Sequence, residues 1–291
     1  MVCGCAGGYD LESKIEIPLL KLPQNCEFYT LKSQGFSGGH SGIMIHKKIP
    51  NAILECAKLA KTLMDNGAFI IELNGGEKRN SIPVGAELCV AIPKENLQKC
   101  EKIFESLKDF YVEKSESKTH YCEIKPLLDA ILEIENGALV MRENMPILSS
   151  NIGILRQNIK QHFAIFSLIA MGRGNVESLM QEHLQKEKEK LEKLGFSVEV
   201  QEYYAPWERE DNAFIQKVWE IYKKFGANVK LKEIHAGLEC GILKQKYPKI
   251  SFVSIGPTIL NPHSIKERLD IESFKAFECY LKEILKRFEA I

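Results

Sequence analysis

The sequence has no long apolar run. Its longest, Phe163 to Met171, is nine residues interrupted by Ser167, too short to cross a bilayer. It also has no excess of either charge. Lys plus Arg number 39, as do Asp plus Glu, so the formal charge is zero. Neither nucleic acid nor an anionic membrane is favoured as a bulk partner. No CxxC occurs among the nine cysteines at 3, 5, 26, 56, 89, 100, 122, 240 and 279. That odd, scattered set points to a reduced, cytoplasmic chain. The opening MVCGCAGGYD has neither a basic region nor an apolar stretch, so no signal peptide is expected. Val2 stands where myristoylation requires glycine. Gly172-Arg173-Gly174 lacks the third glycine of a nucleotide fingerprint.

What is present suits a globular protein. The 291 residues are 45% hydrophobic and 27% charged, enough for one large or two modest domains. Strand and helix patterns alternate. Phe28–Leu31 reads as a strand feeding a glycine loop. Residues 53, 54, 57, 60 and 63 are apolar at helical spacing, so a helix is expected from Asn51, its N-cap, to Asn66. Ala68–Leu73 is an expected strand, Asn74-Gly75-Gly76 a turn, Ile82–Ile92 a strand and Lys94–Phe110 a helix. The result is a split βαβ pattern. A second copy is expected to follow: helix Pro126–Ile134, strands Leu148–Leu155 and His162–Met171, helix Val176–Leu194 and strand Ser197–Glu202. The charged run Gln185–Gly195 reads as a solvated helix face with a glycine stop. Tyr203–Trp207 reads as a linker. Beyond it the pattern predicts helix Asn212–Phe225, strand Val229–Ile234, a short helix, strand Ile250–Ile255 and helix Ile271–Ala290. This alternation implies the end of a larger parallel-sheet domain. Cys3 and Cys5, two apart, are expected to be buried.

Several glycine-bracketed loops carry chemistry. Gly38-Gly39-His40-Ser41-Gly42 leaves His40 projecting, able to polarise a carbonyl or hold an oxyanion. The same stretch contains a G-x-S-x-G at Gly35–Gly39. The expected helix starts about a dozen residues later, which argues against a Ser37 nucleophile. In Gly75–Pro83, Asn80 can hold a peptide amide and Arg79 can grip a carboxylate with a fork of donors. His235–Gly241 ends a strand, where open α/β sheets bind ligands. There His235 and Glu239 could share a helix face, and Glu239 could meet a substrate ammonium. Gly256–Ser264 holds His263 between stiffening prolines, as a metal ligand requires, yet one imidazole does not retain zinc. His46, His120, His162 and His183 carry no constellation.

In this order, GGHSG with its following Ile45-His46 and Asn51-Ala52, GG–RN-IP, HAGLECG and SIGPTI–PHS resemble the Xaa-His (aminoacyl-histidine) dipeptidases, a family of two-zinc metallopeptidases. The resemblance covers nearly the whole chain. It implies an α/β fold: an α+β lid of two related split βαβ subdomains, plus the C-terminal segment of a parallel-sheet catalytic domain. Residues 1–7 would end an N-terminal catalytic segment, 8–204 would be the lid and 205–291 the C-terminal catalytic part. The implied roles are His40 for the oxyanion, Arg79 and Asn80 for the substrate backbone, Gly237 and Glu239 for the pocket, and His263 for metal. Two Zn2+ ions belong to the family. Its His-x-Asp and Glu-Glu elements do not occur here, so zinc is not expected to be retained by this chain alone. The family's carboxylate-gripping Arg is Phe166 here, with Arg173 as the candidate substitute.

The expected function is dipeptidase-like hydrolysis of carnosine-like dipeptides, N-terminally truncated and inactive alone. The alternatives are a non-catalytic peptide-binding or assembly module, or the inactive product of a split gene. Expected partners are a dipeptide, an N-terminal catalytic half and a second copy in a homodimer, with no nucleic acid and no membrane.

Overall fold

The computed structural model describes residues 1–226, 228–260 and 267–288. The chain divides into two compact units. Gly8–Tyr204 forms an insert unit, and Met1–Gly7 together with Ala205–Ile291 forms a terminal unit. The fold is mixed α/β.

The insert unit is built on a ten-stranded sheet. Its principal elements are β1 (Gly7–Lys21), β2 (Cys26–Ser33), α1 (Ala52–Asp65), β3 (Phe69–Gly75), β4 (Ala86–Pro93), α2 (Leu97–Ser106) and β5 (Phe110–Lys114). They are followed by α3 (Lys125–Glu133), β6 (Met145–Ile159), β7 (Phe163–Gly174), α4 (Glu177–Lys193) and β8 (Ser197–Tyr204). The strand order is β8-β1-β7-β6-β3-β4-β2-β5. That order contains two related halves. β2-α1-β3-β4-α2-β5 makes one, and β1-α3-β6-β7-α4-β8 makes the other with the same internal strand order. They meet edge to edge where Leu155 of β6 pairs antiparallel with Gly75 of β3. The halves are nested rather than consecutive, because β1 precedes the first half and belongs to the second. The sequence reading assigned no strand there.

Local chemistry explains most boundaries. Asn51 caps α1, its side-chain oxygen accepting from the amides of Ile53 and Leu54 at 3.0 and 3.3 Å. The helix buries Ile53, Ala57, Ala60 and Leu63, the face that its spacing predicts. Pro126 sits in the first turn of α3. Gly195 ends the long charged helix with φ +91°, where a side chain would be strained. One apolar core spans both halves, including Leu31, Ile53, Leu63, Leu88, Leu127, Leu155 and Phe166.

Some expected elements differ. The expected Lys94–Phe110 helix is shorter, and Phe110 instead starts β5 on the edge of β2. The expected Ile82–Ile92 strand is interrupted around Pro83, leaving Ser81–Ile82 and Ala86–Pro93, since proline offers no ladder donor.

In the terminal unit, strand Val2–Cys5 pairs parallel with Lys232–Ile234, and both Cys3 and Cys5 are buried. It also holds α5 (Ala213–Lys224), α6 (Glu239–Lys246), α7 (Ile271–Phe288) and a short antiparallel pair of Ile259–Leu260 with Arg268–Leu269. Asn212 caps α5 in the way that Asn51 caps α1. A small core joins Val218, Ile221, Tyr222 and Ile284. The expected Ile250–Ile255 strand reduces to a single antiparallel bridge between Ser254 and Val2. The Tyr203–Trp207 linker is ordered instead. β8 runs through Tyr204, and Trp207 is 1% exposed and bridged to Cys5.

Candidate functional site

Two loops singled out in the sequence meet in the insert unit. Gly39–His40 pairs antiparallel with Ser81–Ile82, setting His40 opposite Ser81. The Ser41 amide donates to the Asn80 carbonyl at 3.0 Å. His40 is held by its own loop: Nδ1 accepts from the amides of Gly42 and Ile43 at 3.0 and 3.2 Å. With Nδ1 accepting, the neutral ring carries its proton on Nε2, and Nε2–H is the group that can donate.

A bulge in β6 lets this ribbon come close. Pairing with β7 shifts register between Ile152 and Ile154, which leaves Gly153 out of the ladder. A Cβ on Gly153 would lie 2.6 Å from the Arg79 carbonyl oxygen, and one on Gly76 would lie 1.9 Å from the Gly153 carbonyl oxygen. Bare backbone is therefore required on both sides. Side chains satisfy the bulge. Asn51 donates to the Ile152 carbonyl at 2.8 Å, and the Ile152 amide donates to Asn136 at 2.9 Å. Arg156 donates to the carbonyls of Gly75 and Gly76 at 2.6 and 2.5 Å. Asn151 donates to the carbonyls of Ser81 and Arg79 at 2.8 and 3.4 Å. The α1 cap thus also anchors the site loop.

The Arg79 guanidinium pairs with Asp10 and stands 3.6 Å from Glu202. The carboxylates it grips are the protein's own. Asp10 is 2% exposed, and burial raises its carboxyl above the usual range while Arg79 pulls it back down. The Asp10 hydrogen bond in turn raises the pKa of Arg79.

Arg173 is also buried. It donates to the Tyr204 hydroxyl at 3.1 Å and to the Met171 sulfur at 3.3 Å. On β7 the even residues Ala164, Phe166, Leu168 and Ala170 enter the core, so Arg173 lies on the opposite face. That is the face of Met171, which pairs across to Asn151. Phe166 is a fully buried core residue, and a substrate-facing side chain at 166 would have to reverse the strand. Buried polar atoms without partners gather here: Asp10 Oδ1, Ser41 Oγ, Asn151 Oδ1 and Arg173 Nε.

Gly237 and Glu239 belong to the terminal unit. Leu238 occupies the N-cap position of α6 without a capping side chain, and Glu239 stands in the first turn, where a carboxylate complements the helix N-terminus. His235, just before them, is buried. His263 lies outside the described residues.

Among the described residues, one group of three potential metal ligands lies together: Glu135, His183 and Glu187. This corrects the reading that His183 carries no constellation. His183 and Glu187 are four apart on α4, a spacing visible in the sequence. Glu135 comes from the end of α3, and only the packing of the two helices brings it in. Gly153 was a second missed signal, since an isolated glycine in a strand pattern marks a bulge.

No family model matches the chain. It is 30% identical to the cytosol non-specific dipeptidase of Escherichia coli (strain K12), across 99% of this chain and 63% of that protein. It superposes on the crystal structure of aminoacylhistidine dipeptidase from Vibrio alginolyticus with a TM-score of 0.82 and 26% identity, across 98% of this chain and 62% of that one. A tripeptidase from Staphylococcus aureus shares the fold at a TM-score of 0.51 and 14% identity, with 98% of this chain and 52% of that one covered. The chain spans about three fifths of the first two relatives. Over that span the chain resembles these two dipeptidases in sequence and in fold.

Proposed function

We propose that this chain supplies a lid and a C-terminal catalytic segment to a zinc-dependent dipeptidase that acts on peptides with C-terminal His. One observation carries the reading: His40 is fixed by its own loop amides and paired beside Asn80 over the β6 bulge. A donor held in this way costs no reorganisation when charge develops on a carbonyl oxygen. In this reading His40 Nε2–H donates to the oxyanion. Asn80 orients the peptide backbone, assisted by Arg79 once it exchanges Asp10 and Glu202 for the substrate. Gly237 and Glu239 line the dipeptide pocket.

The resident metals do not fit what this chain offers them. The resemblance gives only His263 as a ligand, and zinc requires three or four protein ligands. The activating ions and the general base are not supplied by these residues, so no step through metal is assigned to them. The E. coli relative's name places that protein in the cytosol, and we extend that location to this chain. A homodimer is part of the same proposal.

The test is complementation. Adding a polypeptide with the family's His-x-Asp and Glu-Glu elements, in the presence of Zn2+, is expected to yield carnosine hydrolysis. His40→Ala then lowers kcat by roughly 10²–10³-fold, the usual effect of losing one oxyanion donor. No gain over either part alone overturns the enzyme reading. Chelator-sensitive hydrolysis without that polypeptide overturns the statement that these residues do not hold the metal.

A further inference from the structure

A second group of reactive side chains stands between α3 and α4, apart from the His40 ribbon. One ligand atom from each of Glu135, His183 and Glu187 lies within 4.8 Å of the others. An ion bound at about 2.0–2.2 Å in tetrahedral geometry holds its ligand atoms about 3.4 Å apart, a separation that one pair here already has. His183 is 4% exposed. Its Nε2 has no hydrogen-bond partner, although Glu135 Oε2 stands 3.3 Å away. An orphaned nitrogen at this depth destabilises the fold unless something fills its place. The other ring nitrogen, Nδ1, lies 2.5 Å from the Tyr9 hydroxyl. A partner of that kind fixes the tautomer of a ligating imidazole.

Two lysines face the same group. Lys186 lies 2.8 Å from Glu135 Oε1 and Lys190 lies 2.7 Å from Glu187 Oε1. Glu187 Oε2 accepts from the Glu135 amide at 3.2 Å. Without a cation the two ammonium groups neutralise the two carboxylates, so a bound ion competes with them.

We propose that Glu135, His183 and Glu187 bind one divalent first-row transition cation, with Zn2+ favoured, at a structural site that ties α4 to the end of α3. One imidazole and two carboxylates suit such an ion, and a fourth position is left for water. The site is independent of the dipeptidase reading.

The test uses the purified full chain under reducing conditions, with Co2+ as a spectroscopic probe and Zn2+ as competitor. Wild type is expected to take up one equivalent of Co2+ with visible bands and no thiolate charge-transfer absorption, reversed by Zn2+. His183→Gln abolishes that equivalent, and Tyr9→Phe weakens it about tenfold. Lys190→Met strengthens binding several-fold by removing a competing ammonium, an outcome that a simple ion-pair network does not produce. The proposal is overturned if wild type binds no such equivalent or if folded His183→Gln retains it. Should His183→Gln fail to fold, unchanged or weaker binding by Lys190→Met overturns it instead.

Discussion

The insert unit buries Leu31, Leu63, Leu88, Leu127 and Leu155 completely, whereas the terminal unit leaves Ile242, Leu260, Ile271 and Leu285 more than half exposed. The sheets account for the contrast. In the insert unit each half contributes four strands to one continuous sheet, so the helices have a wide apolar floor to cover. Among the described residues of the terminal unit, the parallel pairing has two strands, and parallel sheets ordinarily need cover on both faces. Three helices on so narrow a floor retain exposed apolar side chains. A unit can therefore carry correct local signals, such as the Asn212 cap, and still lack the breadth that closes a core.

The largest expected effect tests that contrast directly. Leu88→Ala, in the middle of β4, costs about 3–4 kcal/mol in urea unfolding of the insert unit. Leu260→Ala, 52% exposed, stays within about 0.5 kcal/mol. Similar losses at both sites would erase the distinction. Next is Gly76→Ala. With φ +79° and a Cβ set 1.9 Å from the Gly153 carbonyl oxygen, it costs about 2–3 kcal/mol and shifts the His40 and Ser81 amide resonances.

The two caps offer a finer comparison. Asn212→Ala costs about 1 kcal/mol, as for an ordinary N-cap. Asn51→Ala costs about 2 kcal/mol, because the Ile152 carbonyl at the bulge also loses its donor. Equal costs would mean that the bulge is anchored without Asn51.

The smallest effect is a pH slope from Asp10. Its folded pKa is raised, so the folded state holds a proton that the unfolded state has released. Stability from this residue is highest below the unfolded value of about 3.9 and falls as pH rises toward the folded value. The slope is at most about 1.4 kcal/mol per pH unit, and Asp10→Asn flattens it in chemical unfolding curves.

Residues close in sequence were legible before the fold was known. The apolar spacing from 53 to 63 and the Asn51 oxygen act within one turn, and together they set α1. Pro126 and Gly195 mark helix ends through their own backbone preferences. His40 and Asn80 were recognisable as candidates from their glycine-rich settings. The β1 strand was not, because its partners lie in β7 and β8, far along the chain, and its own alternation is weak. Nor could the sequence show that Arg79 is engaged by Asp10 and Glu202, or that Arg173 and Phe166 face opposite sides of β7.

Caps, helical spacing and the order of glycine-rich loops were thus determined by the sequence itself, since each depends on atoms a few residues apart. The nesting of the two halves, the His40–Ser81 pairing over Gly153 and the meeting of Glu135 with His183 were decided only by the tertiary structure. These depend on strand register and helix packing between distant segments. A shift of one residue in strand register would turn His40 and Ser81 to the other face.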